Sequence, residues 1–392
     1  MGIENSELAS LVKWATPKQK EICQARIDGK SWAWIQTNLG VESGNARKAI
    51  ASLKRRAVRH GHSPEHDMQH TVPDGFHVKG VSTYYDSEGN PKAQWVKSQA
   101  DQITAAELAE FLQESIQGYQ GIGGEVKAPA RTQKDMLAVY PMGDPHIGMY
   151  AWGAESGEDF DLRIAEKNLI EATTRLIGCS QPADTAIILN LGDFFHADNS
   201  SNTTARSGNV LDVDSRWGKV FQIGFQAMIQ CVDEARRKHK NVIVKNLIGN
   251  HDDHTSQALS LALNAFFHKD KRVTVDISPS KFWYYQFHNV LIGAGHGDTA
   301  KPDLLPNIMA ADEPVKWGST KHRYWYTGHI HSQNQKEYAG VIWESFKTLA
   351  GKDAWHSAKG YRSGRDMFCI MHHKDHGEVE RHRVDVGMLG NG

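Results

Sequence analysis

Five short stretches in the carboxyl-terminal two-thirds of the chain constrain it more than anything else in the sequence. They are Pro141-Met142-Gly143-Asp144-Pro145-His146, Gly192-Asp193-Phe194-Phe195-His196, Gly249-Asn250-His251-Asp252, Gly295-His296-Gly297-Asp298 and Gly328-His329-Ile330-His331. Each sets His, Asp or Asn directly behind an apolar, β-branched or aromatic run. That pattern arises when several strands of one sheet end at a common edge and their loops converge. Asp144, His146, Asp193, Asn250, His296, His329 and His331 offer oxygen and nitrogen donors with no cysteine among them. Such a set describes a centre for two metal ions and not a structural zinc site.

Around these stretches the pattern from Met136 onward alternates strands and helices. Strands are expected at Met136–Met142, Thr185–Leu191 and Val242–Ile248, and helices at Leu162–Ile177, Arg216–His239 and Thr255–Phe267. Beyond Arg272 strands dominate: Val273–Ile277, Phe282–Phe287, Val290–Ala294, Tyr324–Thr327, Val341–Leu349, and a terminal hairpin of Met367–Met371 and Val379–Val384. An α/β first half and a β-rich second half predict a two-sheet β-sandwich flanked by helices over residues 133–392.

Residues 1–70 are expected to form a small helical domain of the helix-turn-helix kind. Thr16-Pro17-Lys18-Gln19 combines a capping box with proline at the first helical position, and Gly29 closes that helix. Ser31 can cap a second helix that ends at Leu39-Gly40-Val41, and Ser43 opens a third. In the third, Ala46, Ala49, Ile50, Leu53 and Ala57 share one face, while Arg47, Lys48, Lys54, Arg55, Arg56 and Arg59 occupy the rest. Those cations suit contact with nucleic acid, DNA in preference to RNA. A solvated basic face on a small bundle would carry the same charges. Residues 71–132 are expected to hold a β-hairpin about the turn Asp86–Pro91, an amphipathic helix at Thr104–Ile116 and a glycine-rich linker over Gly118–Arg131.

Composition excludes several classes. A net charge of −1 makes any polyanion-binding surface local and not global. No apolar run approaches the about 18 residues of a membrane span. The amino terminus lacks a secretory pattern, and the four scattered cysteines, without CxxC spacing, fit a reduced, cytoplasmic setting.

The five stretches, in this order, resemble the calcineurin-like metallophosphoesterase superfamily, whose pattern is D-x-H, G-D, G-N-H-[DE], G-H and G-H-x-H. Every ligand position of that pattern is filled, across roughly residues 136–386. The resemblance implies that Asp144, His146 and His331 hold one metal, that Asn250, His296 and His329 hold the other, and that Asp193 bridges them. Two divalent cations about 4 Å apart repel and need a shared anion, which a carboxylate supplies. The mixed donor set suits Mn²⁺, with Fe, Zn or Mg also compatible. The resemblance further implies attack on phosphorus by a hydroxide shared between the metals, with His251 as general acid and Asp252 fixing its tautomer.

The Gly-Asp-x-Phe-His form of the second stretch resembles the Mre11/SbcD-type DNA nucleases, which implies a catalytic or phosphate-orienting role for His196. The layout as a whole is similar to phage- or prophage-encoded metallophosphoesterases, implying action in a bacterial host cytoplasm. Arg206 and Arg216, in the polar segment Ser200–Arg216, are candidate substrate contacts. Asp298 and His254 are candidates to support the ligands. Trp343, Trp355, His356 and Tyr361 could stack on a base or belong to the core. The leading expectation is a dinuclear-metal phosphodiesterase acting on nucleic acid. A small-molecule phosphodiesterase and a non-catalytic DNA-binding protein are the rivals, and a homodimer is compatible with all three.

Overall fold

The computed structural model describes residues 8–63, 68, 71–72, 76–88, 90–100, 126–204, 207–360 and 362–390. The chain divides into two compact units, Met1–Gln102 and Ile103–Gly392. The expected helix at Thr104–Ile116 and most of the glycine-rich linker lie outside the described residues.

The first unit holds α1 (Pro17–Ile27), α2 (Trp32–Leu39), α3 (Ser43–Arg59), β1 (Phe76–Tyr85) and β2 (Pro91–Ala100). The capping box forms as read: the Gln19 amide donates to Thr16 Oγ1 at 3.3 Å and the Thr16 amide to Gln19 Oε1 at 3.1 Å. Gly29 and Gly40 take the left-handed backbone that ends α1 and α2. Ile22, Ala25, Ile35 and Ala46 form one small core, and Leu8, Leu11, Cys23, Leu53 and Ala57 a second. β1 and β2 pair antiparallel as the expected hairpin, within this unit.

The second unit is α/β, with two sheets face to face. The six-stranded sheet contains β3 (Gln133–Met142), β4 (Ala183–Asn190), β5 (Asn241–Asn246) and β6 (Val273–Asp276), all parallel. β12 (Asp366–His373) and β13 (Gly377–Asp385) extend it antiparallel beyond β3. The second sheet has β7 (Phe282–Phe287), β8 (Val290–Gly295), β9 (His322–Thr327), β10 (Asn334–Tyr338) and β11 (Val341–Ser345), ordered β10-β11-β9-β8-β7. In it β8, β9 and β11 run parallel.

Alternation along the strands makes the layers. Leu137, Val139, Ile187 and Leu189 face the second sheet and meet Val290, Ile292, Tyr326 and Phe346. Their neighbours Ala138, Tyr140, Ala186 and Ile188 face α4 (Leu162–Cys179), α5 (Trp217–Lys238) and α6 (Thr255–Phe267). On the outer face of the second sheet, Leu291, Trp325 and Val341 are covered by Leu305 and Met309 of α7 (Leu305–Asp312). This is the helix-flanked two-sheet sandwich expected from the sequence.

One strand ends early. Val341–Leu349 was expected to be continuous, but β11 stops at Ser345, and the chain then turns so that Thr348 forms a bridge to Gly143. β10 was not expected at all. Because β3, β4 and β5 share a direction in one sheet, and β8 and β9 in the other, all five motif loops leave carboxyl ends of strands.

Candidate metal centre

The five loops meet. Asp144, His146 and His331 form one group whose donor atoms all lie within 4.8 Å of one another, and Asp193, His296 and His329 form a second. His146 Nε2 and His331 Nε2 are 3.2 Å apart, with His331 Nε2 3.9 Å from Asp144 Oδ1. In the second group His296 Nε2 is the hub. It lies 3.2 Å from Asp193 Oδ2, 3.1 Å from Asn250 Oδ1 and 3.2 Å from His329 Nδ1. The two groups adjoin, since His296 Nδ1 is 3.7 Å from Asp144 Oδ1.

These distances pass a fit test for divalent cations. Ligands at about 2.0–2.2 Å from a metal are themselves separated by roughly 3.0–3.6 Å. The tautomer fits as well. His296 Nδ1 lies 2.9 Å from the Leu191 carbonyl, which can only accept, so Nδ1 carries a hydrogen and Nε2 is the nitrogen that faces the group, where a cation would take the place of a second proton. Electrostatics point the same way. Burial alone would push the His296 imidazole down, but the Asp193 charge and hydrogen bond, with Asp144 beyond, push it up to about 10. A place that holds a proton so firmly favours positive charge. Burial raises Asp144 to about 8 despite His296 nearby, whereas for Asp193 the charge and hydrogen bond of His296 outweigh burial and hold it well below the usual range.

Local backbone sets these donors. Asp144, His146, Asp193, His329 and His331 all have positive φ, between 42° and 68°. Outside glycine this region is sparsely populated, and Asp and His tolerate it better than branched residues do. The glycines that open the motifs are required by contact. A Cβ at Gly249 would lie 1.9 Å from Asp193 Oδ1, and one at Gly328 would lie 2.5 Å from Asp144 Oδ2. At Gly192, where φ is +97°, it would lie 2.7 Å from His296 Nδ1. The glycines let the loops that bear the candidate ligands press against one another's side chains.

His251 and His196 sit over the first group. Their rings stack at 5.2 Å between centroids, and each meets the His146 ring edge-on. His251 Nδ1 lies 2.9 Å from the His196 carbonyl, so that nitrogen donates and Nε2 is the atom left for chemistry. The His251 amide donates to Asp193 Oδ1 at 2.8 Å. His196 Nδ1 approaches His146 Nδ1 at 3.2 Å.

Asp252 requires a correction. It was expected to orient the His251 ring, but the His196 carbonyl does that. Asp252, fully buried, instead accepts from the amides of Asp193, Gly249 and Phe195 at 3.2, 3.1 and 3.2 Å. The reason is chain direction: the loop turns Asp252 back under the second motif, so it braces the backbone that carries Asp193. Burial, then the Asp193 charge, push its carboxyl well above the ordinary range, while the amide of Phe195 pulls the other way.

Sequence reasoning missed two supports. Asp198, buried, accepts from the amides of His254 and Thr255 and from the Thr255 hydroxyl, capping α6 from a separate loop. It also bonds the His254 ring and raises its pKa. Thr348 donates to the Asp144 carbonyl, anchoring the first motif from the turn after β11. The signal for Asp198 was its place two residues beyond His196; nothing local marked Thr348.

Other candidates are placed as follows. Asp298 is half-buried and its charge reaches His329. Arg216 is exposed at the start of α5, and Arg206 lies outside the described residues. Trp343 is half-buried against the Leu291–Trp325 core and donates to Thr327 Oγ1 at 3.1 Å, a packing role and not a stacking one. The side chains of Trp355 and His356, and all of Tyr361, lie outside the described residues. In the first unit Arg47, Lys48, Arg55 and Arg59 are exposed and Lys54 half-buried. Arg47 lies over the Trp32 ring at 5.3 Å. Arg56 turns inward, donating to the Trp14 carbonyl at 3.0 Å and Gln19 Oε1 at 3.1 Å. Among the described residues no helix is long and apolar enough to cross a membrane.

No family model and no curated protein matches the chain. Solved structures with partial likeness include a conserved uncharacterised protein of Streptococcus pneumoniae, described as a predicted phosphoesterase. It is 10% identical, with 64% of this chain and 99% of that one covered, at a TM-score of 0.27. Vps29 of Entamoeba histolytica, solved with Zn²⁺, is 12% identical, covering 64% and 99% at 0.26. A putative 5′-nucleotidase of Staphylococcus aureus, in complex with α-ketoglutarate, is 9% identical, covering 64% and 54% at 0.31. Superpositions this loose carry no argument about the chemistry, which rests on the residues themselves.

Proposed function

We propose that the second unit is a dinuclear-metal phosphodiesterase of the calcineurin-like metallophosphoesterase kind, and that it cleaves nucleic acid, DNA in preference to RNA. The observation that carries the reading is the convergence of Asp144, His146 and His331 with Asp193, Asn250, His296 and His329 at one edge, with two further histidines over them. Asp144, His146 and His331 would hold one ion, Asn250, His296 and His329 the other, and Asp193 both. Two divalent cations, Mn²⁺ by donor type, would supply Lewis acidity and an activated water near neutral pH.

The chain's own residues do the rest. His251, fixed through Nδ1, offers Nε2–H in its protonated form to the departing oxygen. His196, stacked on it, orients the phosphate. Asp252 and Thr348 hold the backbones that carry Asp193 and Asp144. The exposed cations of α3 support DNA as the polymer that the first unit delivers, because phosphate contact needs several cations on one face.

Hydrolysis of bis-p-nitrophenyl phosphate, labelled DNA, labelled RNA and cyclic mononucleotides, each with Mn²⁺ and with chelator, tests the reading. Chelator-sensitive cleavage of DNA is expected. Cyclic mononucleotides turned over far faster than any oligonucleotide would overturn the nucleic-acid assignment. Hydrolysis that ignores chelator would overturn the metal assignment too.

A further inference from the structure

Lys281 has no part in the chemistry above, yet its ammonium group sits at the third motif. Nζ lies 3.3 Å from the Ile248 carbonyl oxygen, 3.4 Å from that of Gly249 and 3.6 Å from Asp253 Oδ1. An ammonium has three hydrogens, and here three oxygens surround it. Ile248 and Gly249 open the loop and Asp253 closes it, with Asn250, His251 and Asp252 between. One side chain therefore ties together both ends of the loop that carries a candidate ligand and the candidate general acid. The Lys281 and Asp253 side chains are 26% and 33% exposed, so the tie is partly shielded from water.

This loop needs a cation where Lys281 stands. Two successive carbonyls aimed at one point bring like partial charges together, which a positive charge between them offsets. The other side of the turn is held by Asp252, which takes the Gly249 amide at 3.1 Å. Gly249 is thus gripped through its N–H by Asp252 and through its C=O by Lys281.

The backbone of Lys281 also meets the fourth motif. It stands directly before β7, whose first residue, Phe282, pairs with Gly295. A Cβ at Gly295 would lie 3.4 Å from the Lys281 carbonyl oxygen. His296 follows Gly295. So the side chain of Lys281 fastens the loop of Asn250, while its backbone lies against the strand end that delivers His296. Asn250 Oδ1 and His296 Nε2 approach to 3.1 Å, and the reading above gives both to the same ion. Asp144, His146 and His331 belong to the first and fifth motifs, to which this tie does not extend.

We infer that Lys281 is a positioning residue that sets the spacing of Asn250 and His296, and through it the affinity for the second ion alone. The inference rests on the two-ion reading above. An ammonium that cinches the loop acts on a ligand's aim without touching metal or substrate, as partners behind the ligands of a metal site do.

The test is the binding of Mn²⁺ to metal-free protein, followed by titration calorimetry and by electron paramagnetic resonance, in which two ions sharing a bridging ligand give a coupled signal. Wild type should bind two ions, and Asn250→Ala marks which binding step belongs to the second. Lys281→Met keeps most of the side chain's length and drops its charge. In it that step should weaken by about 10–100-fold, the range for a partner that orients a ligand, with the other step unchanged. The coupled signal should fade at Mn²⁺ concentrations that fill the wild type. Lys281→Arg should restore both, since a guanidinium can donate to both carbonyls. Equal weakening of the two steps, no weakening, or a loss that arginine does not repair overturns the inference and leaves the two-ion reading in place. If Lys281→Met does not fold, Lys281→Gln is read in the same way, and unfolding of both overturns it too. Wild-type protein that binds fewer than two ions overturns the two-ion reading as well.

Discussion

Gly249→Ala should disable the proposed metal centre without unfolding the protein. The added methyl carbon would sit 1.9 Å from Asp193 Oδ1 and 2.3 Å from the Asp193 amide nitrogen. To reach even 3.0 Å the carboxylate must retreat by about 1.1 Å. A workable metal ligand tolerates only about 0.2 Å. The carboxylate cannot simply swing aside, because the His251 amide holds the same oxygen at 2.8 Å. If residue 249 retreats instead, it carries Asn250 with it, so one ligand moves either way.

The overpacking should cost about 1–3 kcal/mol, less than the stability of an ordinary domain. Misplacing a reacting group by about 1 Å costs on the order of a hundredfold in rate. Metal content after dialysis, measured by mass spectrometry, and turnover of bis-p-nitrophenyl phosphate are the assays, with circular dichroism to check folding. Gly178→Ala is the control: it sits in α4 with nothing within 4 Å of its Cβ position, and there alanine should stabilise by about 0.5–1 kcal/mol. Full metal occupancy in Gly249→Ala, with turnover within threefold of wild type, would refute the reasoning.

Further outcomes follow from the same geometry. His251→Asn should slow cleavage of an alkyl phosphodiester by about 10²–10⁴-fold but slow a p-nitrophenyl ester much less, since that leaving group needs no proton; equal losses on both would remove the general-acid role. Replacing Arg47, Lys48, Arg55 and Arg59 with alanine should lower DNA affinity and flatten its salt dependence by about 0.9 in log–log slope for each phosphate no longer neutralised; an unchanged slope would move the DNA surface elsewhere. Burial pushes His239 down to about 4, so its neutral form is favoured in the fold and the unfolded chain binds the extra proton between about pH 6.5 and 4. Stability should therefore fall as pH drops through that window, by up to about 3 kcal/mol, and His239→Gln should flatten the fall in a denaturant titration.

The site was legible because its chemistry dictates residue types. His, Asp and Asn directly behind apolar runs supply oxygen and nitrogen donors, and Thr185–Leu191 or Val290–Ala294 announced such strands by composition alone. What did not show in the sequence depends on contacts between distant segments. Nothing near Gly249 announces that Asp193 presses against it, and nothing near Thr348 that it holds Asp144. Asp252 misled because its neighbour His251 was the obvious partner, whereas the fold offered three backbone amides. β10 escaped because Asn334–Tyr338 is an exposed edge strand with no apolar alternation for a period of two to reveal.

The left-handed backbone at five of the candidate ligands changes how this centre should be dissected. An alanine placed at Asp144 or Asp193 removes a donor but leaves a Cβ in a conformation it resists, at about 1–2 kcal/mol. Alanine scanning would thus blend a chemical loss with a conformational one. Glycine at the same positions deletes the donor and relaxes the chain, so glycine variants should fold more firmly than their alanine counterparts while binding metal no better. The difference between the two series measures how far the protein bends its own backbone to keep those donors aimed.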